Sequence, residues 1–477
     1  MTDVALTQSS AQTPTAYERH APDPRLVRQT LEPSEHAVFW LHDAPGARYP
    51  ALTASTAADL AVVGGGYLGL WTAVLAKRRA PGTRVVLLEA ETIGWAASGR
   101  NGGFCEASIT HGEENGRSRW PGEYAALERL GRANLDEFGR DVAELGLDCQ
   151  WERTGTLSVA VEEHQTGWLG DARMDAGAVR EQIDSPLFLA GAWNRDDTAL
   201  VHPARLAHEL ARVAGELGVE IHEHSPVLGL DGGRAGGPVS LRTPRATVRA
   251  QRVALASNVF PSLLRRTRLM TVPVYDYVLM TEPLTAGQKS AIGWENRQGL
   301  ADLANQFHYS RLTADNRILY GGYDAVYHRG GRLDAGYEDR PATFERLTSH
   351  LLATFPQLEG VRISHRWAGA IDTCTRFAPF YGLARGGRVA YSAGFTGLGV
   401  GATRFAAQVL LDRLEGADTE RTRLGMVRRQ PVPFPPEPLA GIGIDLTRWS
   451  LDRADHQAGR RNLFLRALDA AGLGFDS

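Results

Sequence analysis

Residues 59–69 read DLAVVGGGYLG, and residues 84–89 read RVVLLE. An apolar run from Asp59 to Val63 ends in three glycines, a helical stretch follows from Leu68 to Arg79, and a second apolar run closes at Leu88. Strand, turn, helix and strand in that order make a βαβ unit, the building block of a parallel sheet. Each glycine of the Gly-x-Gly-x-x-Gly spacing has a physical task. Gly64 permits the tight turn, Gly66 lets the backbone approach a pyrophosphate, and Gly69 lets helix and strand pack closely. Tyr67 and Leu68 open the helix whose positive end would face the phosphates. Glu89 ends the second strand, with Ala90 beside it. An acidic side chain there binds ribose hydroxyls and would repel the 2′-phosphate of NADP. This stretch reads as a dinucleotide site.

The chain has 477 residues, a 43% apolar fraction and a formal charge of −3. Such a length implies two to three domain-sized units, in the range of roughly 50–200 residues each. The balanced charge leaves no basic excess to neutralise a phosphate backbone, so nucleic-acid binding is not expected. Lys77 and Lys289 are the only lysines. Neither follows a glycine, which removes a Walker phosphate loop, and Schiff-base chemistry would have only these two candidates. Cys105, Cys149 and Cys374 stand far apart without Cys-x-x-Cys, so no disulfide framework or structural zinc site is expected and a cytoplasmic location fits. His222-Glu223-His224 has no third ligand nearby and reads as a surface strand; no metal is expected. Residues 1–25 lack the basic start and apolar centre of a signal peptide and read as an unstructured leader.

Hydrophobic periodicity divides the chain. Residues 1–57 form an N-terminal arm anchored by Phe39 and Trp40. Segments 58–118, 196–262 and 363–420 belong to the dinucleotide-binding domain. Segments 119–195 and 263–362 form a second domain, in which period-two strands predict an antiparallel sheet. Residues 421–477 are a tail in which a proline-rich stretch, 431–438, leads to an Arg-rich amphipathic segment, 446–471. The tail is expected to pack with its apolar stripe inward rather than to bind a membrane. The fold class is thus an α/β dinucleotide-binding domain with a Rossmann-type βαβ unit and an inserted α+β domain built on an antiparallel sheet.

Residues 91–103 read ETIGWAASGRNGG. Ser98, Gly99, Arg100, Asn101, Gly102 and Gly103 offer backbone amides, a hydroxyl and a carboxamide, which suit a diphosphate and the polar edge of a flavin ring. Residues 394–399, GFTGLG, precede a helix. The amides of Gly394, Phe395, Thr396, Gly397 and Gly399, with the positive helix end, suit a place where negative charge accumulates. Together with Trp151-Glu152-Arg153-Thr154-Gly155-Thr156-Leu157, Val201-His202-Pro203 and Ala256-Ser257-Asn258, these segments resemble the glycine oxidase and D-amino acid oxidase superfamily of FAD-dependent oxidoreductases, and within it the gamma-glutamylputrescine oxidase-like branch. The resemblance runs over roughly residues 55 to 415. It implies bound FAD, with the backbone of Val227 at the adenine. It also implies a small-molecule amine oxidised to an imine and electrons passed to oxygen or another acceptor.

On the substrate side, amino-acid-oxidising members follow a Trp-x-Gly motif two residues later with an Arg that clamps the carboxylate. Here Trp367-Ala368-Gly369-Ala370-Ile371 puts isoleucine at that position. A polyamine or acylated amine is therefore expected, with oxidation of an N-methyl or simple amino acid as the alternative, using Arg311 or Arg376 as a relocated clamp. The catalytic candidates are Tyr277, His308 and Tyr309. Alternation puts Tyr275 and Tyr277 on one face of their strand and Asp276 on the other, and it separates Tyr309 from His308 in the same way. Which face meets the flavin stays open. Ala96 and Ala97 remove the histidine by which some relatives attach flavin, so non-covalent FAD is expected and a Cys374 thioether is the lesser route. In sarcosine oxidase-like relatives a lysine beside the flavin promotes reaction with oxygen; neither lysine is expected there, which predicts slow reoxidation by oxygen. A reading of a different class is a nucleotide-binding module without redox turnover.

Overall fold

Two short helices stand where an unstructured leader is expected. The structure, a computed structural model, describes residues 13–233, 236–358 and 360–474; positions 1–12 of that leader lie outside them. α1 (Ala16–Arg19) starts at a capping box in which Thr15 and Glu18 each accept the other's backbone amide. α2 (Pro24–Leu31) starts at Asp23 with proline at its first position. β1 (Glu35–His36) and α3 (Phe39–Asp43) complete the arm, whose Phe39 and Trp40 are buried as expected.

β2 (Thr56–Val63), α4 (Tyr67–Arg79) and β3 (Val85–Leu88) form the βαβ unit, with Val62 opposite Leu87 in a parallel ladder. α4 is buried on nearly every side because the sheet covers one flank and later helices cover the others. β4 (Glu220–His222) pairs with β3, and β5 (Thr247–Leu255) lies on the other side of β2.

The second sheet is built around β6 (Val272–Thr281), β7 (His308–Leu312) and β8 (Ile318–Gly322). It is covered by α5 (Pro341–Thr354), and the long strand β9 (Ile363–Thr373) lies between β6 and β1. The chain then returns to the first sheet through β10 (Val389–Ala393), parallel to β5, and α6 (Gly399–Glu415), which packs on α4.

Register decides the faces of the second sheet. Asp276 stands opposite Gly369, Val278 opposite Trp367 and Gly321, and Gly321 opposite Tyr309. Directly opposed residues share a face, so Asp276, Val278, Tyr309 and Trp367 look the same way, toward the 98–103 loop. Tyr275, Tyr277, Tyr320 and His308 look the other way. There Tyr275, Tyr277 and Tyr320 share a core with Phe344, Leu347 and Leu351 of α5.

The apolar stripe of the tail packs inward only in part: Leu451, Phe464 and Leu468 are half-buried and Leu465 is buried, whereas Leu463 is 81% exposed. In α7 (Leu439–Asp455) the stripe Leu439, Ile442, Leu446 and Trp449 is exposed, at 61%, 53%, 39% and 50%. In this helix the polar side chains make the contacts instead. Asp455 accepts from the Asn305 amide at 2.9 Å, the Asn305 carboxamide at 2.7 Å and the Gln306 amide at 3.1 Å, while Asp445 pairs with Arg329 and Arg448 with Asp324. The reason lies in the surface beneath, where the second domain offers open backbone amides and charges. No helix among the described residues is long and apolar enough to cross a membrane.

Candidate functional site

The glycine turn is closed to any larger residue. Gly64 has φ +112°, and a Cβ there would lie 2.4 Å from the Ala256 carbonyl oxygen; at Gly69 it would lie 1.9 Å from the Gly64 carbonyl oxygen. α4 begins at Gly66 with no capping hydrogen bond from the side chain of its own N-cap. Such an uncapped start leaves backbone donors and the positive helix end for an anion. Glu89 is buried at the tip of β3. One of its oxygens accepts the Gly65 amide at 2.5 Å, and the other accepts the Glu91 amide at 2.9 Å and the Trp95 indole at 3.0 Å. Burial pushes its carboxyl up, against those donors. Ala90 is exposed beside it, and the Ser225 amide donates to the Glu89 carbonyl, which brings Val227 to the same rim.

The 98–103 loop spends its polar side chains on its own shape. Ser98 Oγ accepts the Tyr67 amide at 3.0 Å, which ties the loop to the start of α4. The Asn101 carboxamide donates to the carbonyls of Ala97 and Ser98 and accepts the Gly103 amide at 2.8 Å. Arg100 pairs with Glu338 and also donates to the carbonyls of Trp95 and Ala368. Two tryptophans clamp the loop from outside. The Trp40 indole donates to the Asn101 carbonyl at 2.9 Å and the Trp367 indole to the Arg100 carbonyl at 2.8 Å. Gly99 and Gly103 sit against the carbonyls of Gly94 and Val201, and Gly102 against the ring of Tyr309. Only backbone could fit so tightly.

Residues 394–399 are held by a group that sequence reasoning missed. Asp372, at the end of β9, is buried and accepts the Gly394 amide at 2.6 Å and the Phe395 amide at 3.2 Å. Its carboxyl is pushed up to about 7 by burial, with the amides opposing. Nothing in the sequence marks it beyond its place two residues before Cys374. Gly394, Thr396 and Gly397 all have positive φ, and α6 begins directly afterwards with no side-chain cap. Cys374 is fully buried, its thiol donating toward the carbonyls of Ala378 and Gly394, so it faces the core.

A cavity of about 970 Å³ lies against this arrangement, lined by Trp95, Ala97, Arg100, Asn258, Tyr275 and Ala393 among others, with Phe434 and Glu437 of the tail at its border. Tyr309 touches the loop, and its phenol donates to Asp276. Tyr277 and His308, the other two catalytic candidates, lie on the α5 side of the sheet. Tyr277 donates to the Tyr337 carbonyl at 2.7 Å, and His308 bridges Asp302 at 2.6 Å and His350 at 2.9 Å. Neither relocated clamp reaches the cavity. Arg376 is buried on the carbonyls of Ala378, Pro379 and Arg429, and Arg311 donates to the Val201 carbonyl at 2.5 Å behind the loop. Lys77 caps carbonyls at the end of α4, and Lys289 pairs with Glu295.

The donor set suits a flavin dinucleotide: a side-chain-free turn for the pyrophosphate, an acid for ribose, and two glycine-rich segments ahead of a cavity. A glycine-turn domain joined across that cavity to a mixed, mostly antiparallel sheet domain, in which Glu35 pairs parallel with His365 and Leu300 with Leu157, is the architecture of a two-domain flavoenzyme. The family model for FAD dependent oxidoreductases, DAO, matches residues 59–413. Gamma-glutamylputrescine oxidoreductase of Escherichia coli is 32% identical over 401 residues, covering 79% of this chain and 87% of that protein. The probable oxidoreductase OrdL of Haemophilus influenzae is 27% identical over 396 residues, covering 78% and 86%. The crystal structure of glycine oxidase from Geobacillus kaustophilus superposes with a TM-score of 0.62 at 20% identity, covering 76% of this chain and 96% of that one. The chain belongs to the DAO family of FAD-dependent oxidoreductases.

Proposed function

We propose that this enzyme oxidises a primary or secondary amine of the polyamine or acylated-amine type to an imine, which water then hydrolyses. The observation that supports this most is the commitment of the arginines: Arg100 pairs with Glu338, Arg311 donates to the Val201 carbonyl, and Arg376 donates to the carbonyls of Ala378, Pro379 and Arg429. A carboxylate clamp of the amino-acid-oxidising kind is therefore not formed by Arg100, Arg311 or Arg376. The name of the Escherichia coli relative points to an acylated polyamine as its substrate.

In this reading Gly64, Gly66, Tyr67, Leu68, Gly69, Glu89, Ala90 and Val227 hold the dinucleotide half of FAD, and Ser98 to Gly103 with Gly394 to Gly399 hold its ring end. FAD, when bound, supplies the acceptor for hydride from the carbon beside the amine. The protein orients the neutral amine and keeps water out, and little acid–base machinery is required. Tyr309 and Asp276 set the position of Gly102 from behind. Tyr277 and His308 act from the far face as packing and hydrogen-bonding residues of the second domain. Oxygen or another acceptor completes turnover, and a cytoplasmic setting accords with three free thiols. Anaerobic addition of an amine panel to the yellow protein tests the proposal: bleaching by an acylated polyamine is expected, and a panel that never bleaches the flavin overturns it.

A second reading, oxidation of an amino acid, has one observation in its favour: Arg268 and Arg332 line the cavity and are exposed. A rise in KM for a carboxylate substrate, but not for its amide, in Arg268→Ala or Arg332→Ala would favour it.

A further inference from the structure

Glu35, His42 and His365 come from β1, α3 and β9, and their ligand atoms lie within 4.8 Å of one another. Nothing in their sequence spacing announces this; the arm brings two of them to the sheet edge, where Glu35 is the parallel partner of His365. His42 Nδ1 and His365 Nε2 face each other at 3.0 Å, and Glu35 Oε2 stands 4.0 Å from His42 Nδ1. Phe39, on the same short helix as His42, packs edge-on against the His365 ring at 5.3 Å.

A second observation concerns the hydrogen on His365. Its Nδ1 lies 3.0 Å from Ser364 Oγ. That hydroxyl lies 2.9 Å from the Thr281 carbonyl and 3.1 Å from the Met280 carbonyl, and its oxygen accepts from Arg317 Nη1 at 3.1 Å. With its single hydrogen spent on a carbonyl, Ser364 can only accept from His365. His365 Nδ1 therefore carries the ring hydrogen, and Nε2 presents its lone pair to the gap shared with His42 and Glu35. A hydrogen bond from the second ring nitrogen is how proteins fix an imidazole for coordination.

We propose that Glu35, His42 and His365 form a binding site for a divalent transition metal of the zinc class, with solvent as the fourth ligand. Two imidazoles and a carboxylate suit zinc, nickel or copper far better than magnesium or calcium. Tetrahedral coordination at about 2.0–2.1 Å sets ligand nitrogens about 3.3 Å apart, so the two rings separate by only a few tenths of an ångström. Glu35 and His42 are exposed and free to adjust. Without metal, His42 Nδ1–H donates to His365 Nε2. On binding, that hydrogen moves to His42 Nε2 on the solvent side, and no proton need leave the protein.

The metal would tie the arm to β9 two residues from Trp40, whose indole holds the Asn101 carbonyl. Its role is to fix the arm, and the site stands whether or not the proposed substrate is right. The test is titration of the chelator-stripped, FAD-loaded enzyme with zinc against a chromophoric indicator, and with cobalt by its visible absorption. One saturating equivalent is expected, with a rise in Tm. His42→Ala and His365→Ala should each weaken binding by about tenfold or more and lose the rise. Glu35→Gln, on an exposed side chain, should weaken zinc binding while leaving Tm in chelator unchanged, so a folding defect in a histidine variant does not decide the matter. The double variant His222→Ala, His224→Ala should bind as the parent does. Absence of a saturable equivalent, or binding that survives loss of both His42 and His365, overturns the proposal.

Discussion

Tyr309 donates its phenol hydrogen to Asp276 across the face of the second sheet while its ring lies against Gly102 of the 98–103 loop. The pair carries a pH signature. Burial pushes the Asp276 carboxyl up to about 6, with the Tyr309 hydrogen bond opposing. The folded apoprotein then holds this proton more tightly than the unfolded chain, in which an aspartate titrates near 4. Its contribution to stability is fully present below about pH 4 and is lost as pH rises through about 6. Asp276→Asn keeps an acceptor for Tyr309 and removes the titration. The variant's urea midpoint relative to the parent should therefore improve from about pH 4.5 to about pH 7.5; a constant difference would refute the assignment.

Gly69→Ala and Gly82→Ala make a matched pair. A Cβ at Gly69 would meet the Gly64 carbonyl oxygen at 1.9 Å, whereas one at Gly82 meets nothing within 4 Å. The first should cost about 1–3 kcal/mol and release FAD, while the second should retain it. Full flavin content in Gly69→Ala would show that the turn can relax.

Asp372→Ala leaves the buried amides of Gly394 and Phe395 unpaired, at about 1–3 kcal/mol each. FAD affinity, read by quenching of flavin fluorescence on titration into apoprotein, should fall about tenfold or more, and Asp372→Asn should recover part of it. An unchanged affinity in the alanine variant would mean that the segment is held by other contacts.

Removal of residues 430–477 should lower Tm and also raise KM for the amine, because Phe434, Glu437 and Ala440 border the cavity. The absorption band of bound flavin should keep its shape. A truncated enzyme with unchanged KM would show that the tail only braces the second domain.

The glycine turn was legible because every requirement there is local. Gly64, Gly66 and Gly69 each answer to a backbone atom within a short stretch of chain. The second sheet was half legible. Alternation separated Asp276 from Tyr277 and Tyr309 from His308, but both faces of this sheet are covered, so hydrophobicity could not tell which looked toward the loop. Asn101 resembled a ligand residue in the sequence and turned out to brace its own loop, a choice fixed only by how the chain folds back. Asp372 was hidden because its partners are backbone amides about twenty residues onward, which carry no sequence signature. The tail was legible only in part. An amphipathic stripe states which side is apolar, and the partner surface decides which side docks.

His456 Nε2 lies 3.0 Å from Glu18, and its carbonyl accepts the Thr13 amide at 3.3 Å. The seat of the first helix is thus finished by a segment that is translated 438 positions later. At about 5–20 residues per second the ribosome needs tens of seconds to supply it. The early arm must wait for that long with its docking surface incomplete, so the nascent enzyme is expected to become protease-resistant there only after the segment around His456 has emerged, however early its dinucleotide domain has formed.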